Sequence, residues 1–212
     1  MSEVIAGVDV PDTEAVAEAT RLVQETISPL LFHHSRRVYL FGQMHAHHLG
    51  IEPDAELLYL AAMFHDTGLV TPFSDREQRF EVDGADHAHK FLIERGFSPA
   101  AADTVWTAIA LHTTPGIPDR MGPEIAATYL GVLTDVIGFG LEGLHTERVA
   151  EILQFHPRGD FKTEFLQAYF DGFKNRPETT NGTVNSDVLE HFIPEYRRPT
   201  SVERILGSAW PS

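Results

Sequence analysis

The segment LAAMFHDTGL, residues 60–69, places a histidine and an aspartate side by side at the end of an apolar helical pattern. One helix face is formed at the i, i+3, i+4 and i+7 spacing by Leu58, just before this segment, and then by Ala61, Ala62 and His65. Gly68 indicates the helix end. His65 and Asp66 therefore fall where the pattern predicts the protein interior. Because burying an uncompensated carboxylate is costly or shifts its pKa strongly, this pair requires a compensating partner.

The same helical spacing recurs along the chain, whereas no segment shows the sustained alternation of apolar and polar residues that is typical of strands. Capping residues, prolines and glycines mark where the helices begin and end. Helices are predicted at residues 12–27, 28–49, 53–66, 84–95, 98–112, 123–140, 146–155, 161–173 and 186–192. The sequence therefore predicts an all-α protein with a single helical bundle.

Three parts are expected within this bundle. Residues 1–28 form an N-terminal helix that packs on the core, residues 29–193 form the helical core, and residues 194–212 form a C-terminal tail. The tail carries Trp210, which we expect to pack across the body or against a neighbouring molecule. A homo-oligomer is compatible with this pattern.

Composition and charge limit the classes of partner. The 212-residue chain has a formal net charge of −15 and contains no cysteine. Such a charge repels nucleic acids and anionic membranes, so a small-molecule substrate is expected instead. Disulfides, thiolate metal ligands and a cysteine nucleophile are excluded. Neither a secretory signal nor an apolar run of membrane-spanning length is recognised, so we expect a cytoplasmic location.

Ionisable residues recur on the faces that the pattern turns inward. Three predicted helices each carry one inward histidine, namely His34, His65 and His112, and an otherwise apolar helix carries Asp135. Each residue taken alone is more typical of a hydrogen-bonded core side chain. Together with Asp66, however, they would offset much of the cost of burial around a divalent cation, and imidazole and carboxylate ligands suit a borderline or hard metal.

Four segments in this order resemble the HD superfamily of metal-dependent hydrolases. They are FHHSRRVYLFG (32–42), LAAMFHDTG (60–68), IALHTTPG (109–116) and GVLTDVIG (131–138). The resemblance covers roughly residues 30–140, and it implies that residues 29–193 form an HD-domain helical core. It also implies the H…HD…D ligand set of that superfamily, which corresponds here to His34, His65, Asp66 and Asp135.

Within the superfamily, the segments HSRRVYLFG, ELLYLAAMFHDTGL, RFEVDGAD and AIALHTTPGI look most like the cyanamide hydratase branch. This resemblance implies the addition of water to a small nitrile-like substrate, cyanamide to urea, by a metal-activated hydroxide. Leu69 stands where nucleotide-cleaving relatives often carry glutamate, and Phe80 stands where dinuclear relatives carry a histidine. We therefore expect one divalent metal ion, with zinc favoured over iron, manganese, cobalt or nickel.

Three residues are candidates for catalysis beside the metal. His112 matches a family position near the metal and is predicted to be an acid–base residue, although a ligand role stays open. His112 or Asp66 can move the proton of the attacking water, because a base must lie within hydrogen-bond reach of it. Glu81 is assigned either a substrate contact or a salt bridge within its loop.

Several other ionisable residues are interpreted as structural. Asp83 is predicted to be the N-cap of the helix at 84–95, and His87 and His89 are predicted to be solvated. The histidine-rich segment MHAHHLG, residues 44–50, lies about 16 Å along its helix from His34 and is interpreted as surface.

Two other functions are consistent with the same residues. An HD-type phosphohydrolase acting on a nucleotide or another small phosphate ester could contact phosphate through arginines, of which the candidates are Arg36, Arg37, Arg76 and Arg79. A regulatory or binding module without turnover is the third possibility, and the intact ligand positions argue against it.

Overall fold

The computed structural model describes residues 3–210 and confirms the all-α fold within that range. A short antiparallel hairpin, β1 (Val4–Ile5) and β2 (Val8–Asp9), precedes the helices. The helices are α1 (Glu14–Thr26), α2 (Pro29–Leu49), α3 (Ala55–Phe64), α4 (Phe80–Glu94), α5 (Pro99–Leu111), α6 (Pro123–Ile137), α7 (Thr146–Phe155), α8 (Phe161–Phe173), α9 (Ser186–Phe192) and α10 (Ser201–Leu206). No described helix combines the length and the apolar character needed to cross a membrane.

Local capping chemistry determines where two of the helices that position the buried histidines begin. Ser28 accepts a hydrogen bond from the backbone N of Leu31 at the start of α2, and Ser98 accepts one from Ala101 at the start of α5. A proline follows each serine in the first helical turn, where its missing N–H is not needed. Helix α2 ends at Gly50, whose φ of 67° is the left-handed conformation typical of a helix C-cap.

Two glycines let α2 and α6 pack closely in the centre of the bundle. A Cβ atom on Gly131 would lie 2.2 Å from the backbone oxygen of Val38, and one on Gly42 would lie 2.7 Å from that of Ala127. Gly42 of α2 and Gly131 of α6 therefore accommodate the backbone of the neighbouring helix. Helix α1 packs on α3 through the buried side chains of its inward face, which are Val16, Ala19 and Val23.

Helix α4 begins at Phe80, four residues before the predicted start, so the assignment of Asp83 as its N-cap is wrong. Asp83 lies in the first turn and is buried, where it pairs with Arg176 and accepts a hydrogen bond from the backbone N of Asp75 over 3.0 Å. This buried ion pair joins α4 to the segment after α8. A partner 93 residues away in sequence cannot be read from the local pattern.

Two histidines interpreted as surface residues pack against the body instead. The ring of His87 is half-buried and stacks on Phe73 with 3.6 Å between ring centroids. His45 is buried, and its Nε2 lies 2.7 Å from the hydroxyl of Thr134. Among their neighbours, His47 and His48 are exposed as predicted.

Of the two placements predicted for Trp210, across the body or against a neighbouring molecule, the structure contradicts the first. Helix α10 contains no buried residue, and Trp210 is 85% exposed. Arg198 connects the tail to α9 through an exposed ion pair with Asp187 of 2.8 Å.

Candidate metal centre

Four side chains from two helix ends and one helix interior meet inside the bundle, and all of them are 0% exposed. His34 comes from α2, His65 and Asp66 follow α3, and His112 follows α5. The Nε2 atoms of His34 and His65 are 3.1 Å apart. Asp66 Oδ2 lies 3.3 Å from His65 Nε2 and 3.6 Å from His34 Nε2.

The end of α3 allows adjacent residues to point at one place. His65 keeps helical dihedral angles, whereas Asp66, with φ −101° and ψ 2°, leaves the helix. Side chains of consecutive residues diverge by about 100° in a regular helix, so this change is needed for the pair to converge. Gly68 lies where a Cβ atom would be 2.0 Å from the backbone oxygen of Phe80, so α4 closes directly over this turn.

Hydrogen bonds determine the tautomers of all three imidazoles. The Nδ1 atoms of His65 and His112 lie 2.7 Å and 2.6 Å from the carbonyl oxygens of Ala62 and Ile109, respectively. His34 Nδ1 lies 2.6 Å from Asp135 Oδ2. Carbonyl and carboxylate oxygens only accept, so each Nδ1 carries a proton, and each ring in its neutral form presents a lone pair at Nε2.

The interior of this cluster therefore consists of acceptors. Asp66 Oδ2 and His112 Nε2 are buried and have no hydrogen-bond partner among residues 3–210. The lone pairs of two neutral rings that face one another at 3.1 Å repel unless a proton or a metal cation lies between them. His34, His65 and Asp66 offer ligand atoms within 4.8 Å of one another, and this donor set fits a divalent ion such as zinc.

The electrostatics of the cluster also favour a positive charge. Burial raises the pKa of Asp66, but the neighbouring imidazoles, above all His65, lower it by more than burial raises it. The net pKa is below its usual value, so the carboxylate stays ionised. Burial lowers the pKa of His65, yet the Asp66 carboxylate more than offsets this and raises it. Burial, together with the charge of His65, lowers the pKa of His112 to about 4, so His112 is neutral at neutral pH.

Asp135 is not brought into the cluster with the other three predicted ligands. Its carboxylate lies behind His34, on the Nδ1 side of the ring, and accepts from Arg37 Nε over 2.7 Å and from Arg37 Nη2 over 2.9 Å. Burial raises the pKa of Asp135, but the hydrogen bonds from His34 and Arg37 lower it to about 2. The geometry is that of a carboxylate that orients a ligating histidine.

Glu81 is buried beside His112 but pairs with other groups. It accepts from Arg79 Nη2 and Asn185 Nδ2, each over 2.8 Å, and also from the Thr113 hydroxyl. Glu81 was assigned either a substrate contact or a salt bridge, and the structure shows a salt bridge with Arg79. Burial raises the pKa of Glu81, and the hydrogen bond from Arg79 more than offsets this increase.

Two of the four arginines considered as candidate phosphate contacts are buried and paired with protein groups. Arg37 is fully buried against Asp135, and Arg36 is buried and donates to the Tyr59 hydroxyl over 2.5 Å. Arg79 is partly exposed and Arg76 is exposed.

Helix α8 contributes contacts to the site that the sequence pattern did not reveal. The rings of Phe161 and Phe165 lie 5.4 Å and 5.0 Å from that of His34, and the Tyr169 hydroxyl lies 3.4 Å from Asp66 Oδ1. Burial and the charge of Asp66 raise the pKa of Tyr169 well above its usual value, so its hydroxyl stays a donor. In the sequence, these contacts are indicated only by aromatic residues that recur every four positions in 161–173. This spacing is equally typical of ordinary core packing.

Comparison with known proteins agrees with this arrangement. The sequence model of the HD domain matches residues 31–154, which is more than half of the chain. A stretch of 86 residues is 34% identical to YueE of Bacillus subtilis (strain 168), a protein named as a candidate phosphohydrolase, and covers 35% of this chain. The match spans about half of that relative's length, at 49%. The chain belongs to the HD domain family.

Proposed function

We propose that the protein is a metal-dependent phosphohydrolase that cleaves a small phosphate monoester. The observation that carries the metal-dependent reaction is the buried convergence of three imidazole Nε2 atoms on the Asp66 carboxylate. Family membership and the name of the relative YueE support hydrolysis of a phosphate ester. The comparisons offer no corresponding support for the cyanamide hydratase branch.

One divalent ion would be held by His34 Nε2, His65 Nε2 and Asp66. When bound, such an ion polarises a phosphoryl oxygen and lowers the pKa of coordinated water to about 7. Zinc is our first choice, and iron, manganese, cobalt or nickel would suit the same donors.

The residues around the ion orient its ligands and move a proton. Asp135 keeps the proton of His34 on Nδ1, which leaves Nε2 free to bind. His112 is neutral and presents an unpaired Nε2 beside the Asp66 carboxylate, 3.7 Å from Oδ1, so it can accept a proton from a water molecule held within the cluster. The buried negative charge of Glu81 then stabilises the imidazolium that forms.

A groove with a volume of about 520 Å³ lies on the His112 side of the site. Thr113 follows His112 in the chain and lines this groove together with Arg79, the partner of Glu81. Guanidinium and hydroxyl donors are suited to a phosphate ester. The other donors along the groove are Thr114, Thr183, Ser186, Arg198, Thr200 and Ser201.

The proposal is tested by loading metal-free protein with zinc or manganese and measuring phosphate release from a panel of small monoesters. The same samples are assayed for urea production from cyanamide. We expect phosphate release that is lost in Asp66→Ala and retained in Asp103→Ala, an exposed acid on α5 away from the groove. Urea production without phosphate release would overturn the proposal.

Hydration of a small nitrile such as cyanamide is a second candidate, and one observation favours it. The cluster is fully enclosed, and the Phe161 and Phe165 rings cover His34. An enclosed space with an aromatic wall suits a small neutral substrate. The same ligands and His112 would serve this reaction, so the two products in the assay decide between the candidates.

A further inference from the structure

We infer that Tyr169 belongs to the metal centre and positions Asp66 so that Oδ2 alone faces the ion. Tyr169 lies in α8, beyond residues 31–154 that match the HD domain. This inference rests on the proposed metal site, and it holds for either candidate reaction.

The two oxygens of Asp66 have different surroundings. Oδ1 accepts from the Tyr169 hydroxyl over 3.4 Å, whereas Oδ2 has no partner among the described residues. Oδ2 is also the oxygen that lies 3.3 Å from His65 Nε2 and 3.6 Å from His34 Nε2. The oxygen that is left free is therefore the one that points into the group of imidazole lone pairs.

Aromatic packing holds the hydroxyl in place. The Tyr169 ring lies 4.5 Å from the ring of Phe165, one turn earlier in α8, and 5.2 Å from that of Phe80 at the start of α4. The ring of Phe173, one turn later, lies 6.0 Å away. Neighbours on three sides restrict rotation of the side chain, so the hydroxyl has little freedom to leave Asp66.

Tyr169 supplies a donor to a cluster that otherwise consists of acceptors. His112 Nε2 lies 3.7 Å from the same Oδ1 atom, so Tyr169 and His112 flank the oxygen that does not face the ion. Without the hydroxyl, the carboxylate can rotate or bind the ion through both oxygens. The affinity for metal and the ligand field at the ion should then both change.

The test replaces Tyr169 by phenylalanine, which removes the hydroxyl and keeps the ring. Cobalt(II) is titrated into metal-free wild type and Tyr169→Phe, and the visible absorption spectra of the loaded proteins are compared. Tyr39→Phe is the matched control, because Tyr39 is a fully buried tyrosine whose hydroxyl donates to the Asp9 carbonyl over 2.7 Å, outside the cluster.

We expect the dissociation constant for cobalt to rise about tenfold in Tyr169→Phe, since removal of an outer partner of a ligand costs about 10–100-fold in affinity or activity. The cobalt absorption bands should shift in the same variant, and neither change should occur in Tyr39→Phe. An affinity change below about fivefold, or an unchanged spectrum, overturns the role of Tyr169. If wild type binds no cobalt, the proposed metal centre itself fails, which is a distinct result.

Discussion

His34 donates from Nδ1 to Asp135 Oδ2 over 2.6 Å, and this contact decides which nitrogen of the ring is free to bind. The same carboxylate holds the guanidinium of Arg37, one turn after His34 in α2. Asp135 thus connects a candidate ligand to a buried charge. The two effects of this residue, on metal binding and on folding, can be measured separately.

Asp135→Ala is expected to lower the free energy of unfolding by about 3–5 kcal/mol, because it leaves the buried Arg37 charge without its partner. Asp187→Ala breaks an exposed pair with Arg198 and should cost no more than about 1 kcal/mol. Urea denaturation of the metal-free proteins measures both. Equal, small losses in the two variants would contradict the role of the buried pair.

His65→Ala and Asp66→Ala are each expected to abolish bound metal and activity, since each removes one of three convergent ligands. His112→Ala should keep the metal and lose most turnover, because its Nε2 faces Asp66 from outside this group. Metal content by mass spectrometry, measured beside activity, separates these outcomes. Loss of metal in His112→Ala would show that His112 is a ligand.

Gly131→Ala should destabilise the protein by about 1–3 kcal/mol, although alanine is the better helix former. The added Cβ would lie 2.2 Å from the backbone oxygen of Val38, so α2 and α6 must move apart. Gly143→Ala is the control, since nothing lies within 4 Å of a Cβ there. Thermal and urea unfolding measure the difference, and a stabilised Gly131→Ala protein would contradict the close packing.

His87→Phe should reduce the loss of stability on acidification. Burial, and to a lesser extent Lys90, lowers the pKa of His87 from 6.5 to about 4. The unfolded chain therefore binds a proton between pH 6.5 and 4 that the folded protein does not, and the stability present above pH 6.5 is lost as the pH falls through this window. Phenylalanine keeps the stacking on Phe73 and removes this dependence.

Urea unfolding of metal-free wild type and His87→Phe at pH 7, 6 and 5 measures the effect. We expect the stability of the variant relative to wild type to increase as the pH falls. A difference between the two proteins that stays constant with pH would show that His87 titrates alike in the folded and unfolded states.

The helices were predictable because their signals are local. The Ser-Pro pairs at 28–29 and 98–99 are the observed starts of α2 and α5, and residues 146–155, 161–173 and 186–192 are helices with the predicted bounds. Helix α4 was predicted to begin too late. Its first turn is stabilised by the ion pair between Asp83 and the distant Arg176, which no local pattern records.

Local sequence was also enough to place His34, His65, Asp66 and His112 on inward faces, because helical periodicity and caps depend on neighbours a few residues away. It could not show that Asp135 faces Nδ1 of His34 and the Arg37 guanidinium, 101 and 98 residues away in sequence. Nor could it place the Tyr169 hydroxyl on Asp66, 103 residues away. Those contacts depend on how α2, α6 and α8 pack around α3, and only the tertiary arrangement decides which oxygen or nitrogen of a side chain remains free.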